Sequence, residues 1–167
     1  MSTETQDTAL EDANKDRALI YLAIFRELRS RFGEPEAIDI LRTALHRSGR
    51  RFGETLKRHA PRDFDGLIES FAKAPDGGRM FQPRIDRQGT HELAVTFMSC
   101  PLKSAWREAG LDDSELLTML HCATAMDSGT MDASGFDLEI RTWQPGEDGC
   151  CRLVIREKGS PRGCSGP

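Results

Sequence analysis

Aromatic side chains are scarce in this sequence, and none lies on its most basic surface. Phe, Trp and Tyr make up 7% of the 167 residues, and none shares the arginine-rich helix face that runs from Arg42 to Arg62. Stacking of bases on aromatic rings is a main source of affinity for single-stranded nucleic acids. Together with a formal net charge of −4, this predicts no nucleic-acid partner. The arginine face is interpreted as a solvated helix surface or an oligomer contact, and the alternative is a patch that attracts an anionic partner or a carboxylate substrate.

Long apolar runs and several familiar site motifs are also missing. No stretch approaches the ~18 apolar residues of a membrane span, and residues 1–7 show neither the basic region nor the apolar segment of a signal peptide. We therefore expect no membrane partner and a cytoplasmic location, where thiols stay reduced. The motifs HExxH and GxSxG and a glycine-rich phosphate loop are absent.

The five cysteines are odd in number and include no CxxC pair. This spacing argues against a disulfide framework or a zinc ribbon and favours free thiols with separate roles. Composition divides the chain into a disordered acidic tail over 1–14, a single α+β domain over 15–156, and a disordered tail over 157–167. Cys164 lies in that last segment, and we expect no role for it.

Apolar periodicity predicts the elements of the domain. Spacings of three and four residues indicate helices over 16–33, 35–58, 61–73, 101–110 and 112–129. Alternation indicates a β-hairpin over 79–99 and strands over 136–143 and 150–156. The expected fold is α+β, with an N-terminal helical layer followed by a four-stranded, largely antiparallel sheet of two hairpins, between which two helices are inserted.

Cys100 stands where the first hairpin runs into a helix that begins at Pro101. Proline suits the first helical position, so Cys100 becomes the N-cap and faces free backbone N–H groups at the positive end of the helix dipole. This placement favours the thiolate, which is the nucleophilic form of cysteine. The alternative interpretation is a small buried side chain at the end of a strand.

The helix predicted over 112–129 carries three further candidates. Asp127 lies on its apolar face, where a carboxylate must be paired, protonated or catalytic, unless the helix frays there. His121 is a candidate base, although a histidine in such a position more often has a semi-buried structural role. Cys122 follows His121, so the two side chains point about 100° apart, and its apolar neighbours are those of a core thiol.

Cys150 and Cys151 open the last predicted strand. Because side chains alternate between the faces of a strand, only one of the two is expected to face a site. Cys151 shares its face with Leu153 and Ile155.

Three stretches of the sequence resemble the L-2-amino-thiazoline-4-carboxylic acid hydrolase family. They are Cys100-Pro101-Leu102…Trp106, then Cys122…Asp127, and Gly135-Phe136…Trp143-Gln144-Pro145-Gly146-Glu147-Asp148-Gly149-Cys150-Cys151. With the N-terminal helices, the resemblance covers about residues 16–156. The layout is also similar to the 4-vinyl reductase domain, a small-molecule-binding α+β module.

The resemblance to the hydrolases implies ring opening at an electrophilic C=N–S carbon of a small, carboxylate-bearing heterocycle. Either the Cys100 thiolate attacks this carbon or a water activated by Asp127 or His121 does, and the ring sulfur leaves to give an N-carbamoyl thiol amino acid. An arginine would grip the substrate carboxylate. The candidate substrate-binding residues are Cys122, Cys151, Arg152 and Trp106, with Arg141 and Arg107 as alternative arginines.

Two other functions fit the same residues. In one, a zinc ion with an open position is bound tetrahedrally by Cys100, Cys122, either Cys150 or Cys151, and His121 or Asp127. In the other, the domain binds or senses a small molecule without turnover. Zinc is thus a possible cofactor rather than an obligatory one, and a homo-oligomer is left open.

Overall fold

The computed structural model describes the backbone of residues 3–160 and the side chains of residues 8–160. In this part of the chain the helices are α1 (Thr3–Phe32), α2 (Glu34–Leu56), α3 (Phe64–Leu67), α4 (Pro101–Glu108) and α5 (Asp113–Ser134). The strands are β1 (Pro83–Gln88), β2 (Glu92–Phe97), β3 (Phe136–Thr142) and β4 (Cys151–Glu157). This mixture of an N-terminal helical layer and a sheet confirms the α+β class.

The four strands form one antiparallel sheet in the order β1-β2-β4-β3. The predicted hairpins β1–β2 and β3–β4 are confirmed, and they join through β2 and β4, with α4 and α5 inserted between them in sequence. In that central pair Phe97 lies opposite Cys151. The end of β2, which leads to Cys100, is therefore held beside the start of β4.

The core consists of a helical part and a part beneath the sheet. Trp106 is fully buried in the helical part, which α1, α2, α4 and α5 share. Leu93, Leu153 and Phe136 pack in the second part against Met131 of α5. Burial of each such large side chain stabilises a fold by roughly 1.5–3 kcal/mol.

Helix α5 is longer than the sequence predicts. We expected Gly129 to end it, but the helix continues to Ser134, and Gly135 ends it in a left-handed conformation with φ of 90°. Gly129 has a packing role instead, because a Cβ at this position would lie 2.0 Å from the carbonyl oxygen of His46 on α2. The α2 and α5 backbones can approach this closely only where a side chain is missing.

Helix α1 also departs from the prediction, because it begins at Thr3 rather than Asp16. Residues 3–14, which the sequence analysis assigns to an acidic tail, are thus helical in the structure. The end of this segment is held by tertiary contacts, since Asn14 Nδ2 donates to Met80 Sδ at 3.4 Å and Lys15 pairs with Glu108 of α4. Residues 161–167, with Cys164, lie outside the described part of the chain.

The helix predicted over 61–73 is divided and begins later. Asp63 is the N-cap of α3 and accepts a hydrogen bond from the Gly66 N–H at 2.9 Å, and a π-helical turn over Ile68–Ala72 follows. Within residues 3–160, none of the helices combines the length and apolar character that a bilayer crossing requires.

Candidate active site

A cavity of about 620 Å³ lies between α1, α2, α5 and the point where β2 and β4 meet. This is the size of a pocket for a small organic molecule. Most of its wall is apolar, including the rings of Phe52, Phe71, Phe81 and Phe97. The ionisable side chains in the wall are those of Arg17, Tyr21, Cys100, Asp127, Cys150 and Cys151.

Cys100 occupies the predicted N-cap of α4, with extended backbone angles of φ −153° and ψ 110° and Pro101 at the first helical position. The N-cap prediction is thus confirmed. Its Sγ makes no regular capping hydrogen bond, but the N–H groups of Leu102 and Lys103 lie close enough to act on the thiol. Helix geometry therefore directs free backbone donors at the sulfur of a half-buried residue.

The environment of Cys100 holds the pKa of its thiol below the ordinary value. The largest cause is a hydrogen bond from the Cys150 thiol, while burial acts in the opposite direction. The N–H groups of Leu102 and Lys103 lower the pKa further, and the charge of Asp127 opposes them. The same interaction raises the pKa of Cys150, so Cys100 is the thiol of the two that loses its proton more readily.

Cys150 and Cys151 both line the cavity, and their Sγ atoms lie 3.4 Å apart. The prediction that only one of them faces the site is wrong. Strand β4 begins at Cys151, so the alternation of strand side chains does not extend to Cys150. Cys150 instead follows Gly149, which has φ of 78°, and its backbone N–H donates to the Phe97 carbonyl at 2.9 Å.

Asp127 faces the cavity from the middle of α5 rather than from a frayed helix end. Burial raises the pKa of its carboxyl to about 7, and Arg17 opposes this effect only in part. A carboxyl with such a pKa is present in both protonation states near neutral pH. It can therefore give and take a proton during one reaction cycle.

Arg17 is the cavity residue that the sequence analysis missed. Its guanidinium lies 5.9 Å from the ring centroid of Tyr21. Its Nε is buried without a hydrogen-bond partner. Among residues 8–160, no other side-chain nitrogen or oxygen is both buried and unpaired. One signal was available, because Arg17 lies four residues before Tyr21 and so on the apolar face of the helix.

Three predicted residues are not brought to the cavity. The His121 side chain is exposed, and its carbonyl accepts a hydrogen bond from Arg42; partial burial and the Arg42 charge lower the pKa of the imidazole. Cys122 is fully buried in the helical core, where burial raises the pKa of its thiol to about 11. Trp106 is also a core residue, and its Nε1–H donates to the Ala18 carbonyl at 2.9 Å.

The three arginines proposed from the sequence are engaged elsewhere. Arg152 pairs with Asp86 of β1 at 3.3 Å. The partner of Arg141 is Glu147. Arg107 pairs with Asp113 and lies over the ring of Trp143. Of the predicted site residues, the cavity thus unites Cys100, Asp127 and Cys151.

The ligand set of the zinc hypothesis is not assembled in the described part of the chain. Among side chains 8–160, no group of three His, Cys, Asp or Glu residues is arranged so that it could hold a metal ion. Two of the proposed ligands, His121 and Cys122, are absent from the cavity wall.

Comparison with known proteins gives one clear result. The family model described as L-2-amino-thiazoline-4-carboxylic acid hydrolase matches residues 13–153, a segment that includes the cavity residues from Arg17 to Cys151. A search of curated proteins finds no match. Because the matched segment spans most of the sequence, the chain belongs to the L-2-amino-thiazoline-4-carboxylic acid hydrolase family.

Proposed function

We propose that the cavity is the active site of a hydrolase that opens a small C=N–S heterocycle, with L-2-amino-thiazoline-4-carboxylic acid as the reference substrate. The observation that carries the proposal is the presence of two complementary groups in one cavity. Cys100 is a thiol biased towards the thiolate, and Asp127 is a carboxyl with a pKa of about 7. One is a nucleophile and the other a proton carrier.

In the first step, Cys100 Sγ attacks the ring carbon that lies between nitrogen and sulfur. A bond forms between Sγ and this carbon, the bond from the carbon to the ring sulfur breaks, and the sulfur takes the proton of Asp127. The product is an isothiourea in which the opened substrate is attached to Cys100. The apolar cavity wall excludes bulk water during this step and so strengthens the electrostatic interactions within it.

In the second step, water attacks the isothiourea carbon. One water proton ends on the substrate nitrogen and the other returns to Asp127, while the bond from the carbon to Sγ breaks and the thiolate of Cys100 is restored. The leaving thiolate is stabilised by the Cys150 thiol and by the N–H groups of Leu102 and Lys103. The released product is an N-carbamoyl thiol amino acid.

The substrate carboxylate binds to Arg17 in this proposal. The unpartnered Nε of Arg17 supports the assignment, because a buried donor without an acceptor is costly and an incoming carboxylate would satisfy it. A guanidinium can also bind a carboxylate through two parallel hydrogen bonds. Arg17 replaces Arg152, Arg141 and Arg107 in this role.

The covalent intermediate provides a direct test. We expect Asp127→Asn to accumulate the Cys100 adduct, because the ring sulfur can still leave as a thiolate and take its proton from water, whereas the amide cannot accept the proton of the water that attacks in the second step. Rapid quenching and peptide mass spectrometry should find the peptide with Cys100 heavier by the mass of the intact substrate. The control is Asp12→Asn, which changes an exposed aspartate of α1 and should show no accumulation. Hydrolysis by both variants with no adduct under any quench condition would contradict the nucleophilic role.

The predominantly apolar wall of the cavity also favours a second candidate, a small-molecule-binding or sensor domain like the 4-vinyl reductase domain. Titration calorimetry with the thiazoline, combined with product analysis, distinguishes the hydrolase from the binding domain. Saturable binding of the thiazoline without product would support the binding domain, whereas product formation supports the hydrolase.

A further inference from the structure

A second group of residues combines a hydroxyl, an imidazole and a carboxylate. His59 ends a 3-10 turn after α2, Asp63 is the N-cap of α3, and Ser70 lies in the π-helical turn that follows α3. The cavity wall includes none of these three residues. His59 Nε2 lies 3.1 Å from Ser70 Oγ, and His59 Nδ1 lies 2.6 Å from Asp63 Oδ2. A nucleophile, a base and a carboxylate that orients the base are thus connected in series by hydrogen bonds.

Arg58 determines which nitrogen of His59 carries the proton. A guanidinium can only donate hydrogen bonds, and Arg58 Nε donates to His59 Nε2 at 3.1 Å. Nε2 is therefore the unprotonated nitrogen of the neutral imidazole, and Nδ1–H donates to Asp63. This tautomer is the one that can take a proton from the Ser70 hydroxyl.

Burial and close packing fix the position of the imidazole. His59 is only 6% exposed, and a Cβ at Gly66 would lie 2.3 Å from its Nδ1, so the Gly66 backbone closes over the pair of His59 and Asp63. The hydrogen bond from His59, followed by that from the Gly66 N–H, holds the pKa of Asp63 below its ordinary value. The carboxylate is therefore ionised at neutral pH and can stabilise an imidazolium. Ser70, in contrast, is only half-buried.

We propose that Ser70 and His59 form a second catalytic site, at which Ser70 is the nucleophile that attacks small carboxylic esters. His59 is the general base, and Asp63 is the residue that positions it. Arg58 Nη2 lies 3.3 Å from Ser70 Oγ, so the guanidinium is close to the place where an ester oxygen becomes negatively charged. Because Arg58 is exposed, its guanidinium can move from His59 to that oxygen as the charge develops.

The reaction proceeds in two balanced steps. Ser70 Oγ attacks the carbonyl carbon and its proton moves to His59 Nε2; the bond from the carbon to the alcohol oxygen then breaks, and that oxygen takes the proton from His59. In the second step, water attacks the acyl-serine and gives a proton to His59 Nε2. The bond from the carbon to Oγ breaks, and Ser70 recovers its proton from His59. The products are a carboxylic acid and an alcohol.

The test is reaction of the full-length protein with diisopropyl fluorophosphate, which phosphorylates activated serines with loss of fluoride, and separately with 4-nitrophenyl acetate. Peptide mass spectrometry locates each adduct. We expect both reagents to modify Ser70. Ser128 is the matched control, because it is also half-buried but its hydroxyl donates to the Thr124 carbonyl; it should stay unmodified, and Ser128→Ala should react at Ser70 as the wild type does.

Two substitutions at Asp63 separate positioning of the base from capping of α3. Asn is as good an N-cap as Asp, so Asp63→Asn keeps the cap, but it loses the charge and should slow phosphorylation of Ser70 by at least about 100-fold. Asp63→Glu keeps the carboxylate with a poorer cap and should react faster than Asp63→Asn. Circular dichroism verifies that both variants are folded.

A wild-type protein that either reagent leaves unmodified at Ser70, or modifies equally at Ser70 and Ser128, would overturn the proposal. An unchanged rate in Asp63→Asn, or a slower rate in Asp63→Glu than in Asp63→Asn, would also contradict it. Mapping of the wild-type protein decides the question even if a variant fails to fold. Because the readout is an adduct on Ser70, the result is independent of Cys100 and of whether the protein hydrolyses the thiazoline.

Discussion

At the scale of single residues, Asp127 couples the stability of the fold to the chemistry of the cavity. Its pKa is about 7 in the folded protein, against an ordinary value of 3.8. The folded state therefore binds this proton more tightly than the unfolded state does. The sign follows from linkage: the free energy of unfolding falls as the pH rises from about 4 to about 7, because ionised Asp127 is the less stable form in the cavity.

Asp127→Asn should remove this part of the pH dependence. A shift of about three pKa units corresponds to a loss of up to about 4 kcal/mol across the interval. Urea unfolding at pH 5 and pH 8 measures most of it, and the wild-type protein should lose about 2–3 kcal/mol more than Asp127→Asn between these pH values. The exposed-site control Asp12→Asn should behave as the wild type. Equal pH dependence in wild type and Asp127→Asn would show that the carboxyl ionises without cost.

The proposed role of Arg17 predicts that its substitution affects only a substrate that carries a negative charge. Arg17→Met should raise KM for the carboxylate substrate by about 10- to 100-fold, since a charge-assisted hydrogen bond contributes roughly 1.5–3 kcal/mol. KM for the methyl ester should change little, because the ester carries no charge for the guanidinium to bind. Steady-state kinetics with both compounds measures the difference between the two changes in KM.

Arg152→Met is the control for Arg17, since Arg152 pairs with Asp86 on the sheet. It should leave KM for the carboxylate substrate unchanged. If Arg152→Met raises this KM and Arg17→Met does not, the substrate carboxylate binds at the sheet surface and the assignment of Arg17 is wrong.

At the scale of elements, the close contact between α2 and α5 positions Asp127. A Cβ at Gly129 would lie 2.0 Å from the His46 carbonyl oxygen, so a methyl group there must push the helices apart. Gly129→Ala should lower the free energy of unfolding by about 3 kcal/mol, at the upper end of the usual cost of overpacking. Chemical denaturation measures the change.

The matched control for this contact is Gly89→Ala, because a Cβ at Gly89 meets its nearest atom, the Glu92 carbonyl oxygen, at 3.7 Å. It should change stability by less than about 1 kcal/mol. A similar small effect for Gly129→Ala would mean that the two helices can separate freely and that their spacing does not fix the cavity.

Element prediction succeeded where local chemistry decides the structure. Pro101 started α4 and made Cys100 its cap, and Asp112 caps α5 by accepting the Glu115 N–H at 2.9 Å. It failed at Gly129, because sequence alone cannot distinguish a glycine that ends a helix from one that admits a neighbouring backbone. The prediction for Cys150 failed because β4 begins at Cys151, one residue later than expected. Cys150 therefore lies outside the strand, where side chains need not alternate between the two faces.

At the scale of the whole molecule, the cavity is assembled from segments that are distant in sequence. Cys100 and Asp127 could be predicted as site residues because the evidence for each is local in sequence. Cys100 lies at a predicted N-cap, and Asp127 lies on the apolar face of a predicted helix. The role of Arg17 could not be predicted, because it depends on α1 packing over a cavity whose two proposed reacting groups, Cys100 and Asp127, follow more than eighty residues later. The placement of Cys150 and Cys151 in the same cavity wall as Cys100 likewise depends on the pairing of β2 with β4.

The central claim is that Cys100 is the nucleophile of a hydrolase, and turnover of L-2-amino-thiazoline-4-carboxylic acid by Cys100→Ala tests it most directly. The measurement is the rate of N-carbamoyl product formation by chromatography, with Cys122→Ala as a matched thiol control and circular dichroism to verify folding. The account predicts product from the wild type and from Cys122→Ala, and a loss of at least about 10³-fold for Cys100→Ala, in the range seen when covalent catalysis is removed. Undiminished turnover by folded Cys100→Ala would contradict it.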